Sequence, residues 1–170
     1  ERLILYLERP NKRLKKRSYR TFPLFMAQAA SMLEKEGFDV KVIDSIAIDQ
    51  EREDFIEEVK SYKPDLLVFE TSTTSFKNDI SILKELESLD SKVTMVGSHV
   101  SALPEEALRY DFVNYVCIGE YESILVNLAN SLSKGDQIEK IRGLAFRKGK
   151  SIKVNEREPL IEDLDKLPLP

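Results

Sequence analysis

Five short runs rich in β-branched and other apolar residues recur along the chain: Leu3–Leu7, Val40–Ile43, Leu66–Phe69, Val93–Val96 and Val113–Ile118. Each is nearly continuous rather than alternating, the pattern of a parallel strand covered on both faces. Between the runs the apolar spacing changes to that of a helix. Phe25, Ala29, Met32 and Leu33 predict a first helix, begun by Pro23 and stopped at Gly37. Phe55, Ile56 and Val59 predict a second, closed off before Pro64. Phe76, Ile80, Leu83 and Leu86 stripe a third. Leu103, Ala107 and Leu108 predict a short fourth with Pro104 in its first turn, and Ile124, Leu125, Leu128 and Leu132 a fifth that ends near Gly135. All these stripes read as core, not as cofactor contacts.

Strict β-α alternation implies right-handed crossovers and a doubly wound α/β domain. Five strands with five helices favour a flavodoxin-like parallel sheet of order 2-1-3-4-5. After residue 140 the pattern changes: Leu144–Arg147 and Ser151–Val154, joined around Lys148-Gly149-Lys150, predict a β-hairpin. From Glu158 to Pro170 prolines and acids replace any regular period. The expected organisation is therefore a Rossmann-like domain over 1–140, a hairpin extension over 141–157, and a linker over 158–170 that reads as an interdomain connection. The chain is expected to be a fragment.

Composition narrows the chemistry. A length of 170 residues suits one sizeable core. One cysteine, Cys117, and one histidine, His99, cannot make a usual Cys/His zinc site or hold an iron–sulfur cluster. No metal ligand or catalytic residue is assigned to this chain. A lone cysteine in an apolar run suits a reducing cytoplasm, and no apolar run is long enough to span a membrane. The net charge of −4 is uneven, because Arg9, Lys12, Arg13, Lys15, Lys16, Arg17 and Arg20 crowd one stretch. The remainder is clearly acidic, which argues against a nucleic-acid surface. The basic stretch itself reads as a solvated loop or as a surface for an anionic group or a neighbouring domain.

Ligands of open parallel sheets bind beyond the carboxyl ends of the strands, where strand order reverses. After strand three comes Glu70-Thr71-Ser72-Thr73-Thr74-Ser75, more hydroxyls than helix capping alone requires. After strand four comes Gly97-Ser98-His99, where glycine allows close backbone approach and His99 is either a ligand contact or a loop histidine bonded to the backbone. After strand five comes Gly119-Glu120-Tyr121-Glu122, whose acids suit a helix start; an acid/base pair is the sharper reading. The chain has no G-x-G-x-x-G and no P-loop, which excludes the dinucleotide and NTPase fingerprints. Strand three ends in Phe69-Glu70-Thr71 without the aspartate of a phosphoreceiver.

The order and spacing of several segments resemble the N-terminal cobalamin-binding domain of radical S-adenosylmethionine (SAM) enzymes, among them methyltransferases and Mg-protoporphyrin monomethyl ester cyclases. The segments are Pro64–Phe69, Thr73–Asp79, Gly97–Glu106, Gly119–Glu122, Ile141–Arg147 and Ile161–Pro168. The resemblance implies that the nucleotide tail of cobalamin enters the crevice. Thr71, Ser72, Thr73 and Thr74 would line it, Gly97, Ser98 and His99 would border tail or corrin, and Gly119 with Glu120 would close the far side. It also implies a partner: a radical SAM barrel of the same parent chain, holding a 4Fe-4S cluster and S-adenosylmethionine, without which this fragment does not catalyse. Glu8-Arg9-Pro10-Asn11 after strand one has no histidine, so cobalt would take no histidine ligand from that loop. Two departures stand out: Glu70 where serine is common, and Val96-Gly97 where two glycines are common. They keep open a docking domain of the same fold that has lost the cofactor. A flavin-binding electron carrier is disfavoured, because the hydroxyls follow strand three rather than strand one.

Overall fold

The computed structural model describes residues 1–7, 22–163, 165 and 167–169. The loop after strand one with its basic stretch, and Leu164, Lys166 and Pro170 of the tail, lie outside them. The elements run β1 (Arg2–Leu7), α1 (Leu24–Lys35), β2 (Asp39–Asp44), α2 (Arg52–Tyr62), β3 (Leu66–Glu70), α3 (Phe76–Glu85), β4 (Lys92–Val96), α4 (Ser98–Ala102), α5 (Pro104–Leu108), β5 (Tyr115–Cys117), α6 (Glu122–Lys134), a 3-10 turn (Ile138–Lys140), β6 (Leu144–Lys148) and β7 (Ser151–Val154).

The strands form one sheet of order β2-β1-β3-β4-β5-β6-β7. The first five are parallel in the predicted order 2-1-3-4-5, as a flavodoxin-like fold requires. The predicted hairpin forms and pairs antiparallel with β5, so it lengthens the same sheet. Alternation along each strand splits the core in two. Ile4, Tyr6, Leu67 and Phe69 face α2, α3, α4 and α5, with the Tyr6 and Phe55 rings stacked 3.7 Å apart. Leu3, Leu5, Leu66 and Val68 face α1 and α6. Covering both faces is what makes these strands continuously apolar.

The α3 stripe is buried as predicted from Phe76 through Leu86, and Gly37 and Gly135 stand in the left-handed region just where α1 and α6 stop. The sequence reading needs three corrections. In α1 the buried positions are Met26, Ala29, Ala30 and Leu33, whereas Phe25 is 60% exposed. Both sets fit a helical period, and the sheet chose the one whose small alanines let α1 approach closely. Strand five is shorter than expected because its ends serve other bonds: the Asn114 side chain accepts from Val93 N–H at 2.7 Å, and Ile118 N–H donates to Gly143 O at 2.8 Å. The predicted fourth helix forms as α5 with Pro104 in its first turn, but an unpredicted helix, α4, precedes it; proline disfavours helical backbone at the residue before it, and Leu103 accordingly sits between the two at φ −133°, ψ 60°.

Candidate functional site

The carboxyl edge is centred on three neighbouring strand ends. Register places Glu70 of β3 beside Leu7 of β1 on one side and Val96 of β4 on the other. The loops beyond them are tied together by backbone. Thr71 N–H donates to Val96 O at 2.9 Å, carrying the β-ladder one step past the strands. Gly97 has φ +105°, and a Cβ there would overlap the Thr71 carbonyl oxygen. Glycine is thus demanded by the adjacent protein loop.

The five hydroxyls after β3 divide by direction. Thr71 and Ser75 are buried, and the Thr71 hydroxyl donates to Asp79 Oδ2 at 2.6 Å. The Ser75 hydroxyl accepts from Ser72 N–H at 2.9 Å, closing a tight turn before α3. Ser72 is half-buried and shares a 3.0 Å hydroxyl contact with Thr74, while Thr73 and Thr74 are exposed. So two hydroxyls support the turn from below and three remain at its surface.

His99 lies under that turn rather than at its rim. It is 8% exposed, with Nδ1 3.3 Å from the Thr73 hydroxyl and Nε2 3.1 Å from Glu106 Oε2. Its ring rests 4.2 Å from that of Phe76. The backbone-bonded histidine read as one alternative from the sequence is corrected, because both ring nitrogens face side chains, Thr73 and Glu106. Ser98 beside it is exposed.

After β5, Gly119 N–H donates to the Ser101 hydroxyl at 3.0 Å, joining this loop to α4. A Cβ on Gly119 would meet nothing within 4 Å, so space is open above it. Glu120 is exposed and accepts from Ile161 N–H at 3.2 Å, which brings the tail across the site. The tail continues to α1, where Gln28 donates to Pro168 O. Tyr121 and Glu122 are each 4% exposed. Burial, reinforced by the Glu70 and Glu122 charges, pushes the Tyr121 phenol far up. Burial likewise raises the Glu122 carboxyl, partly offset by backbone amides and reinforced by Glu120.

The predicted residues therefore fall into two groups on opposite faces of the sheet edge. Thr71 to Thr74 and Gly97 to His99 gather over α3 and α4. Glu70 neighbours Tyr121 on the α1 and α6 face, where Val96 is fully buried. Gly119 and Glu120 stand beyond β5. Sequence reasoning missed Asp79 and Glu106. Asp79 carried a signal, an acid set within the apolar stripe of α3 three residues after Phe76; Glu106, on a helix of five residues, did not.

The site fits a large polar cofactor. Glu122 Oε2 is buried and accepts no hydrogen bond among the described residues, while the buried Tyr121 hydroxyl has Glu70 beside it. A buried oxygen of this kind has room for a further donor. Surface hydroxyls, open space above Gly119 and this buried oxygen suit a ligand whose periphery carries amides and a phosphate, as cobalamin's does. Val96 points into the core, so it does not obstruct the open edge.

Fold and edge together define a small-cofactor domain of the open α/β class. A family model described as the B12 binding domain matches residues 12–129, and the chain belongs to that family. It is 30% identical over 151 residues to an uncharacterized methyltransferase of Pyrococcus horikoshii, covering 87% of this chain and 33% of that protein. It is 24% identical over 156 residues to the anaerobic magnesium-protoporphyrin IX monomethyl ester cyclase of Cereibacter sphaeroides, covering 85% of this chain and 25% of that protein. The chain thus spans a third or less of these curated relatives. Its fold matches the cobalamin-dependent S-adenosylmethionine radical enzyme OxsB, solved with aqua-cobalamin and S-adenosylmethionine bound, with a TM-score of 0.81 at 21% identity over 94% of this chain and 22% of that one. It also matches the radical S-adenosylmethionine methyltransferase TsrM from Kitasatospora setae, solved with cobalamin and a [4Fe-4S] cluster bound, with a TM-score of 0.75 at 23% identity over 99% of this chain and 31% of that one. The resemblance read from the sequence is borne out.

Proposed function

We propose that this domain binds cobalamin at the carboxyl edge of its sheet and presents it to a separate catalytic domain. The observation that carries the reading is the family match over residues 12–129, which spans the hydroxyl turn after β3 and the loops after β4 and β5. Ser72, Thr73, Thr74 and Ser98 supply hydroxyls at the surface of the edge, Gly119 leaves room, and half-buried Glu70 with buried Tyr121 and Glu122 supplies oxygens on the α6 face. Bound cobalamin would supply a cobalt centre able to accept and pass on a methyl group or an electron. The chain's own residues orient the cofactor and shield part of it from water. His99 is held by Thr73 and Glu106, so this chain offers cobalt no free imidazole.

The catalytic partner in this reading is a radical SAM barrel with a 4Fe-4S cluster and S-adenosylmethionine. Its support is the greater length of the relatives, named as a methyltransferase and a cyclase, and the ligands bound in OxsB and TsrM. Glu70 is the one feature that favours the second reading, a docking domain without cofactor, because an ionised carboxylate at the strand switch point would repel a phosphate. A visible-absorption titration with hydroxocobalamin and methylcobalamin, followed by gel filtration, decides between them. Co-elution with a shift to the form lacking its benzimidazole ligand supports the first, and Thr73→Val should then weaken it. No retention by the chain or by its full-length parent sinks it.

A further inference from the structure

We infer that His99 is a positioning residue that latches the hydroxyl turn after β3 to the helices after β4, and so sets the shape of the site; in this it rests on the cobalamin reading. The geometry fixes its tautomer. A carboxylate only accepts hydrogen bonds, so Nε2 carries the proton toward Glu106 Oε2 at 3.1 Å. In the neutral imidazole Nδ1 is then the bare nitrogen and accepts from the Thr73 hydroxyl at 3.3 Å. Both nitrogens are occupied, and the ring is clamped against Phe76. One imidazole thus bridges the β3 turn, the first turn of α3 and the body of α5.

The consequence falls on Thr73. It is exposed, in a turn whose other inward supports act on Thr71 and Ser75, not on the tip. The bond from His99 is what directs the Thr73 hydroxyl hydrogen inward and leaves its oxygen lone pairs facing the open edge. Without it the turn opens more often and the tip loses its fixed hydroxyl. Replacing His99 therefore acts on the ligand only through Thr73.

Nitrogen-15 NMR of the His99 imidazole in the 170-residue chain reads the tautomer, and amide hydrogen exchange reads the turn. An Nε2–H tautomer with an accepting Nδ1 is expected. His99→Phe keeps the ring on Phe76, and in it the bonded amides of the turn, those of Ser72, Ser75 and Phe76, should exchange about three- to tenfold faster, the worth of one net hydrogen bond. His99→Asn, whose amide oxygen can stand in for Nδ1, should restore protection, and His99→Gln should not. Thr73→Val removes the same bond from an exposed position, so it gives the readout even where a His99 variant fails to fold. With hydroxocobalamin as probe, His99→Phe weakens binding in the parent and adds nothing in the Thr73→Val background. Unchanged exchange in His99→Phe and Thr73→Val, or full additivity of the two on affinity, overturns the inference. Failure of the parent to bind hydroxocobalamin would sink the cofactor reading alone, since tautomer and exchange still decide the latch.

Discussion

Replacing Gly97 by alanine tests whether the edge is built as described. The backbone there has φ +105° and ψ −179°, a region open in practice only to glycine. Holding alanine in it costs about 1–3 kcal/mol. The added methyl would also overlap the Thr71 carbonyl oxygen, a backbone atom that cannot rotate away. Overpacking of this kind typically costs a further 1–3 kcal/mol or so. The two together reach about 2–6 kcal/mol, a large share of the roughly 5–15 kcal/mol that holds a domain folded. For a chain of this size each kcal/mol shifts Tm by about 2–4 °C. A drop on the order of 5–15 °C by circular dichroism, with a matching change in urea midpoint, is the expected result. Gly119→Ala is the control: its φ of +92° carries the strain, but its Cβ meets nothing, so it should lose only the first contribution. If Gly97→Ala is as stable as the parent, or if the two variants cost the same, the close approach of the two loops is wrong.

Asp79→Ala should destabilise by about 1–3 kcal/mol in urea unfolding, because it leaves the buried Thr71 hydroxyl without its 2.6 Å acceptor. Glu122 should show an opposite, pH-dependent sign. Its folded carboxyl value is raised, so its contribution is full below the ordinary carboxyl range and is lost as pH rises through the raised value. Stability measured from pH 4 to pH 8 should therefore fall in the parent relative to Glu122→Gln, and a constant difference would refute the burial of that charge. The Cys117 thiol is fully buried and its ionisation pushed far up, so it should resist thiol reagents until the protein is unfolded by urea.

The strand order and both helix layers were legible in the sequence because continuous apolar runs and helical stripes are local signals of what covers each face. Helix phase was less legible. Phe25 and Met26 both continue a stripe through Ala29 and Leu33, and only the sheet beneath decides which turns inward. The start of α5 at Pro104 was readable from proline's preference for a first turn, whereas α4, five residues over Ser98–Ala102 with no apolar stripe, gave no local signal. At the site, the cluster of hydroxyls was visible but their directions were not. Thr71 and Ser75 look like Thr73 and Thr74 in sequence, yet the first pair supports the turn and the second faces outward. His99 was recognised as a loop residue of interest, while its bond to Glu106 depends on how α5 folds back after Pro104.

The central claim is that this edge holds cobalamin, and an equilibrium titration of the 170-residue chain with hydroxocobalamin, followed by visible absorption, tests it most directly. The account predicts saturable binding with a spectrum of the cofactor freed from its benzimidazole ligand, weakened by Thr73→Val. No spectral change and no co-elution would contradict it.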